Sequence, residues 1–515
     1  MKLATLVAAL DADGVLARHT PEGSTLEHEV LDVAYDSRVV IPGALFVALK
    51  GQRADGMSFV DEAIARGAAA IVSESDPPGP TTVVWITVED ARQALARLAG
   101  RFYDHPSHDM TTVGITGTNG KTTTAYLLSS IFEAAGLRTG LLGTVSYRIG
   151  DEEREATRTT PEAPDVESML REMVRRGCSA CVLEVSSHAL ALRRVDGLRF
   201  SAGVFTNLTR DHLDFHGDME AYFAAKRRLF EMLPAGAPGV ANLDDPRGAD
   251  MLRSAVRPVS YGINHAADVS PGPLSFSLEG LEFEVRTPRG LITARSPLVG
   301  RPNVYNILAA IATAAALDMP FSAIETGVSR LKGVPGRFQV VSSAADDLTV
   351  VVDYAHTDDA LRNLLETARP LSRGRLITVF GCGGERDRTK RPLMGAVAAR
   401  LSDLVVVTSD NPRSEDPDRI IDEVMRGLAP PIDRPSESPG RNGQRTGAPP
   451  RYLTIVDRGE AIEKAIELAR SDDLVLIAGK GHEKYQVVGD RVAPFDDVEV
   501  AERALTRRRS RTRVH

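Results

Sequence analysis

The chain has 515 residues, 43% hydrophobic, 26% charged and only 5% aromatic, and 62 basic against 70 acidic residues leave a net charge of −8. That length exceeds what one core organises, so two to four domains are expected, and the mixed, mildly acidic charge argues against a surface built to coat nucleic acid and suits a soluble protein handling small molecules. Cys178, Cys181 and Cys382 are too few for a disulfide framework, and Cys178–Cys181 has no second pair to complete a zinc site, so a reducing cytoplasm is expected.

The apolar patch from Leu3 to Leu10 reads as an amphipathic helix rather than a leader, because Asp11 and Asp13 follow it without a cleavage-like site. No run approaches membrane-spanning length. Ala44–Leu49 and Ala68–Val72 read as strands of a mixed α/β domain that closes near His105-Pro106-Ser107, giving a first domain over 1–107. Val113 and Ile115 then end a strand-like run. Gly117-Thr118-Asn119-Gly120-Lys121-Thr122-Thr123 follows, and Leu127, Leu128, Ile131 and Phe132 repeat at helical spacing until Gly136. A glycine-rich turn between strand and helix, ending in Lys-Thr, reads as a phosphate cradle. Its backbone N–H groups and the helix N-terminus face phosphate oxygens, Lys121 supplies a cation and the Thr122 hydroxyl a magnesium ligand. The usual spacing would put another glycine at Ile115, so the textual match is imperfect and context decides it. The bland alternative is a plain glycine-rich turn.

Strands and amphipathic helices alternate over 108–335, the rhythm of a parallel sheet with helical crossovers, here the ATP-binding domain. After the turn-rich Gly333–Gly336 the rhythm resumes with Leu348–Val352, Leu376–Phe380, Leu404–Val407 and Leu474–Ile477, so a third α/β domain is expected over 336–515. Residues 430–450, rich in Pro, Ser, Gly and Arg, read as a flexible insertion, and Arg507–Arg513 as a solvated end.

Six of these apolar strands run into polar side chains: Glu184 to His188, Thr206-Asn207, Asp353 to His356, Gly381 to Asp387, Asp410 to Arg413, and Gly479 to Glu483. In open parallel sheets, ligands bind beyond the carboxyl ends of the strands, so these residues are expected to share a crevice.

In this order the motifs Gly117–Thr123, Glu184-Val-Ser-Ser-His188, Asn207-Leu-Thr-Arg-Asp-His212, Asn303-Val-Tyr-Asn306 and Asp353-Tyr-Ala-His356 resemble the Mur ligase family over nearly the whole chain. That family comprises ATP-dependent enzymes that extend the peptide of the peptidoglycan precursor on its UDP carrier. The resemblance implies three domains: a mixed α/β UDP-binding domain, a P-loop ATPase-like parallel-sheet domain, and a Rossmann-like C-terminal domain that brings the amino acid. Asp36-Ser37-Arg38, Gly51 to Gly56 and Asp410-Asn411-Pro412-Arg413 are similar to the members that add meso-2,6-diaminopimelate to the D-glutamate of UDP-N-acetylmuramoyl-L-alanyl-D-glutamate, through an acyl phosphate, in cytoplasmic cell-wall synthesis.

By resemblance, ATP would meet the cradle with Asn303, Asn306, Arg337, Asp353 and His356. Magnesium would meet Thr122, Glu184, His212 and Lys226, the last if carbamylated. The catalytic set would be Lys121, Glu184, His212 and Lys226. The precursor would meet Tyr35, Ser37, Gln52, Arg53, Ala54, Thr159, Thr160, Ser186 and Arg194. Diaminopimelate would meet Arg391, Asp410, Asn411, Pro412, Arg413, Gly479 and Glu483; Arg413 suits the carboxylate that lysine lacks, since a guanidinium pairs bidentately with it. Leu192, Arg158 and Asp358 depart from the family's pattern. No nucleic acid or membrane partner is expected, and the chain is expected to act as a monomer.

Alternatives remain open at this level. Asp211 to His216 read alone could suggest zinc, although no cysteine or third histidine is spaced to close the site. Asp-Asn-Pro-Arg could be a plain turn. The same architecture serves a lysine-adding ligase or a folylpolyglutamate synthase, and a P-loop switch or motor ATPase would bind nucleotide without ligating anything.

Overall fold

The computed structural model describes residues 1–12, 14–20, 26–51, 54–277, 279–428 and 451–512. Gln52, Arg53 and the 430–450 insertion lie outside the described residues.

The helix Leu3–Ala12 buries Leu3, Leu6, Val7 and Leu10 under a five-stranded sheet in the order Leu16–Thr20, Val84–Val88, Ala70–Ser73, Ala44–Val47, Asp32–Ala34. The outermost pair, Leu16–Thr20 with Val84–Val88, is antiparallel and the remaining pairs are parallel. The helix Ala91–Phe102, capped by the Asp90 carboxylate on the N–H groups of Arg92 and Gln93, packs on this sheet beside the helix Leu3–Ala12 and also meets the helix Ala163–Arg175 of the next region.

The central sheet runs Arg257–Tyr261, Pro238–Asn242, Ala202–Phe205, Thr111–Thr116, Ala180–Glu184, Thr139–Leu142, Ser146–Ile149, Glu152–Glu155. Its first six strands are parallel, and the last two form an antiparallel meander that periodicity did not announce. A second addition is a small antiparallel sheet built on Leu281–Thr287 and Gly290–Ser296. Leu281, Phe283, Val285, Ile292 and Ala294 point into the same core as the helix Arg301–Ala316. That helix is buried from Val304 through Ala315 apart from Tyr305, which explains an apolar composition on nearly every face.

The third sheet runs Gln339–Val340, Thr349–Asp353, Leu474–Ala478, Leu376–Phe380, Leu404–Val407, Arg451–Thr454, parallel except at its first pairing. Its continuous apolar strands are buried on both faces, as helical crossovers require. The basic tail is not a wholly solvated end. The helix Asp497–Thr512 carries it back onto the third sheet, where Arg507 pairs with Glu463 and Arg508 with Asp347. Among the described residues no helix is long and apolar enough to cross a membrane.

Candidate active site

The strand Thr111–Thr116 ends at the centre of its sheet, and the loop 117–120 leads directly into the helix Lys121–Ala134. Two glycines there are structurally demanded. Gly117 has φ 145° and a Cβ on it would lie 1.8 Å from Thr206 Oγ1; Gly120 has φ 87° and its Cβ would lie 2.4 Å from Asn306 Oδ1. The neighbouring strand end secures the loop: Thr206 Oγ1 and Asn207 Nδ2 donate to the Asn119 carbonyl at 2.6 and 3.0 Å, and Asn119 N donates to Asn207 Oδ1 at 2.9 Å. Thr118 Oγ1 lies 3.1 Å from the Tyr222 hydroxyl.

Two lysines converge on one carbonyl. Lys121 Nζ donates to the oxygens of Gly117 and Thr118 at 3.0 and 2.9 Å, while Lys226 Nζ, only 1% exposed, donates to the same Gly117 oxygen at 2.7 Å and sits 4.5 Å above the Tyr222 ring. Burial lowers the pKa of both, and Lys121 lowers that of Lys226 further. Glu184, fully buried at the end of the adjacent strand, accepts from Thr122 Oγ1 at 3.1 Å, Thr144 Oγ1 at 3.0 Å and Thr144 N at 2.9 Å. The buried hydroxyl of Thr122 and the carboxylate of Glu184 therefore stand side by side, next to the loop on which the two lysines converge.

His212 takes a left-handed conformation (φ 53°) beside Asp211, and its ring meets His188 edge-on at 4.7 Å. Burial pushes His188, His212 and His216 down to about 4, so near neutral pH they are uncharged. Among the described residues no group of three or more His, Cys, Asp and Glu side chains is arranged to hold a metal ion.

The helix Arg301–Ala316 brings Asn303 and Asn306 to the loop, with Asn306 Nδ2 donating to Asn303 Oδ1 at 3.0 Å. From the third sheet, Arg337 Nη2 donates to Thr122 Oγ1 at 3.1 Å, and its guanidinium lies 4.6 Å from the Tyr354 ring centre. Asp353 is engaged in holding that arginine's segment, since its Oδ2 accepts from Phe338 N at 2.7 Å and its Oδ1 from Ala355 N at 2.8 Å. His356 lies beneath, bonded through Nδ1 to the Tyr354 carbonyl oxygen at 2.9 Å, with its pKa pushed down to about 4 by burial. Asn119 Nδ2 also reaches Asp359 Oδ2 at 3.3 Å, so the second and third sheets meet across this loop.

Next to Glu184, Thr160 Oγ1 donates to the Glu184 carbonyl at 2.8 Å, Thr159 Oγ1 lies 3.1 Å from Thr144 Oγ1, and Ser186 Oγ caps the helix Ser187–Ala191. Arg194 bonds the Thr160 carbonyl at 3.0 Å and, with Arg158, shares the Glu162 carboxylate. Tyr35 crosses from the first domain to Asp165 at 2.8 Å, whereas Ser37 stays within that domain, donating to Glu62 on the helix Val60–Ala65 at 2.7 Å, and Ala54 is exposed. Leu192 terminates the helix Ser187–Ala191 and offers no polar side-chain group there.

A second cluster lies at the ends of the strands Leu404–Val407 and Leu474–Ala478. Asn411 Nδ2 donates to Glu483 Oε2 at 2.9 Å, a Cβ on Gly479 would lie 2.7 Å from Asp410 Oδ2, and Arg413 Nη1 donates to the Gly384 carbonyl at 2.6 Å; Pro412 turns the chain between them. Arg391 differs from expectation. It is completely buried and its guanidinium already pairs with Glu415 and Glu423, each at 2.9 Å, so it is not open to a ligand carboxylate. Arg386 occupies the exposed side instead: its Cγ and Arg413 Nη1 lie 3.8 and 3.2 Å from the Cβ position of Gly383. It stands in the polar run after Leu376–Phe380, a signal visible in the sequence but not resolved to one residue.

Comparisons with known proteins agree with one another. Family models match at residues 30–103 (Mur ligase family, catalytic domain), 115–314 (Mur ligase middle domain) and 336–481 (Mur ligase, glutamate ligase domain). The chain is 47% identical over 480 residues to a UDP-N-acetylmuramoyl-L-alanyl-D-glutamate–2,6-diaminopimelate ligase of Solibacter usitatus, covering 93% of this chain and 94% of that one. The ligase of that name from Bacillus cereus is 42% identical over 515 residues, 99% of both chains. A solved structure of such a ligase, 33% identical, superposes with a TM-score of 0.66 over 95% of this chain and 97% of its own. The MurF ligase of Thermotoga maritima in complex with ADP shares the fold at 19% identity, with a TM-score of 0.61 over 94% of this chain and 99% of its own.

Proposed function

The chain belongs to the Mur ligase family, and from that premise we propose that it joins meso-2,6-diaminopimelate to the D-glutamate of UDP-N-acetylmuramoyl-L-alanyl-D-glutamate at the expense of ATP, in the cytoplasm. The observation that carries the reading is the convergence of Lys121, Lys226, Thr122 and Glu184 on the loop 117–120, with Arg337 reaching in from the third sheet.

An amide cannot form from a carboxylate until its oxygen becomes a leaving group. A carboxylate oxygen of the glutamate attacks the γ-phosphorus, the bond to the β-phosphate oxygen breaks and ADP leaves; the amine nitrogen then attacks the acyl carbon and phosphate departs, with one proton released. The loop amides, Lys121 and Arg337 hold the phosphates in line and offset their charge. Thr159, Thr160, Ser186 and Arg194 orient the muramoyl peptide beside Glu184, while Tyr35, Ser37 and Ala54, with Gln52 and Arg53, receive the uridine end.

The hard oxygens of Thr122 and Glu184 fit magnesium, with His212 and a carbamylated Lys226 as further ligands. Bound there, the ion would neutralise phosphate charge. The lowered pKa of Lys226 favours the unprotonated amine that carbamylation requires. In the third domain, Arg413 and Arg386 receive the distal carboxylate of diaminopimelate, Glu483 its ammonium, and Arg391 braces the loop behind them; Asp410, Asn411, Pro412 and Gly479 complete the wall.

The test is turnover with the UDP-linked dipeptide, ATP, magnesium and either meso-diaminopimelate or L-lysine, read as ADP release and product mass. Faster turnover with lysine would overturn the substrate assignment, and ADP release without a new amide would overturn the ligase reading.

A further inference from the structure

Lys480 is a fully buried lysine at the edge of the amino-acid pocket. Its Nζ donates to Glu483 Oε2 at 3.0 Å and to Asn411 Oδ1 at 3.1 Å, lies 3.9 Å from Asp410 Oδ1, and sits 5.6 Å from the Tyr485 ring centre. Because Asn411 Nδ2 also donates to Glu483 Oε2 at 2.9 Å, the three side chains close a triangle. Asn411 Oδ1 further accepts from Val487 N at 3.0 Å, which ties the triangle to the hairpin Tyr485–Val488 and Arg491–Pro494. The backbone leaves Lys480 little freedom. Gly479 and Gly481 on either side have φ 120° and 55°, and a Cβ on either would fall 2.7 Å from Asp410 Oδ2 and Tyr354 Cβ respectively.

A buried ammonium is costly unless paired, and removing it leaves its carboxylate partner uncompensated. We propose that Lys480 is the positioning residue of the amino-acid pocket, holding Glu483 and Asn411 in the arrangement that receives the distal end of the diamino acid. The inference rests on the substrate reading given above. Charge balance carries it into specificity. Lys480 meets Asp410 at 3.9 Å and Glu483 at 3.0 Å, and Arg386 and Arg413 flank Gly383 near the Asn411 carbonyl, so these five side chains carry an excess of one cation. The distal end of diaminopimelate brings a carboxylate with its ammonium and is tolerated, whereas the end of lysine brings an ammonium alone and is disfavoured. Without Lys480 the excess vanishes and Glu483 is free to attract a bare ammonium, so discrimination should narrow.

The experiment compares the full-length wild type, Lys480→Met and Lys480→Arg in steady-state ligation, alongside thermal melts. Lys480→Met is expected to raise KM for diaminopimelate roughly five- to a hundredfold, the range for stripping a charged partner from a buried carboxylate. It should leave KM for ATP within about twofold and reduce the diaminopimelate-to-lysine ratio of kcat/KM, with Lys480→Arg recovering part of both losses. Equal effects on both KM values, an unchanged substrate ratio, or unfolding of both variants would assign Lys480 to general stability and overturn the inference. Wild-type turnover separates the two readings. Preference for lysine would sink the substrate assignment, while Lys480 would still be judged by whether its loss changes KM for the diamino acid used more than KM for ATP.

Discussion

The loop 117–120 and the amino-acid pocket are both strand-end sites, yet they are built by opposite means. The loop is contiguous, and its turn follows from glycine backbone, a helix N-terminus and Lys121 within a few residues, with Thr206, Asn207 and Lys226 bracing it from outside. The pocket gathers Arg386, Asn411, Arg413, Lys480 and Glu483 from three connections, and its shape depends on side chains bonding one another. A backbone-built site is robust to everything except the residues that make its turn. A side-chain-built site can lose one contact and change its preference without losing its fold.

The sharpest way to break that contrast is Lys121→Ala. Removing the cation that faces the phosphates is expected to lower kcat by about a thousandfold, read as ADP release, with the melting temperature little changed. Arg413→Ala should come next, raising KM for diaminopimelate about a hundredfold while KM for ATP stays within about twofold, because a bidentate charged contact is lost at one end of one substrate. Gly120→Ala tests the backbone side of the comparison: with φ 87° and Asn306 Oδ1 at 2.4 Å from the new methyl, it should weaken ATP binding by about tenfold, measured by calorimetry with a non-hydrolysable analogue. Between Arg386 and Arg391, Arg386→Ala should raise KM for diaminopimelate about tenfold, whereas Arg391→Ala should chiefly lower the melting temperature, since it removes the buried guanidinium that Glu415 and Glu423 share.

The smallest effect concerns the seam between the first two sheets. The Glu167 carboxylate, buried under the helix Ala91–Phe102 beside His105 and Gly197, has no hydrogen-bond partner among the described residues, and burial raises its pKa from 4.5 to about 8 against the opposing charge of Arg171. The folded state therefore keeps a proton that the unfolded chain releases. The stability contributed is complete below about pH 4.5 and is lost as pH rises through about 8. Glu167→Gln should remove that loss, making the variant more stable than the wild type by roughly 1–3 kcal/mol above pH 8 and much closer to it at pH 5, as followed by thermal melts.

Much of the fold was legible because buried parallel strands read as continuous apolar runs and their helices as periodic ones. The antiparallel meander and the small sheet around 281–296 were not, since short strands of mixed polarity carry no comparable signal. The basic tail misled for a related reason: its arginines look solvated in sequence, and only the positions of Glu463 and Asp347 turn them into anchors.

What the sequence determined by itself was the chemistry that local order imposes: the loop, its lysine, the strand-end motifs and, through them, the family. Tertiary structure decided which of several similar side chains is available. Arg386 on the connection and Arg391 at the start of the helix Lys390–Leu401 stand five positions apart and look interchangeable as text. One is exposed beside Gly383 and the other is buried between two carboxylates, a difference set by partners that arrive from the segment Glu415 to Glu423. The same holds for Lys480, whose role exists only because two strands bring Asn411 and Glu483 within reach of one ammonium.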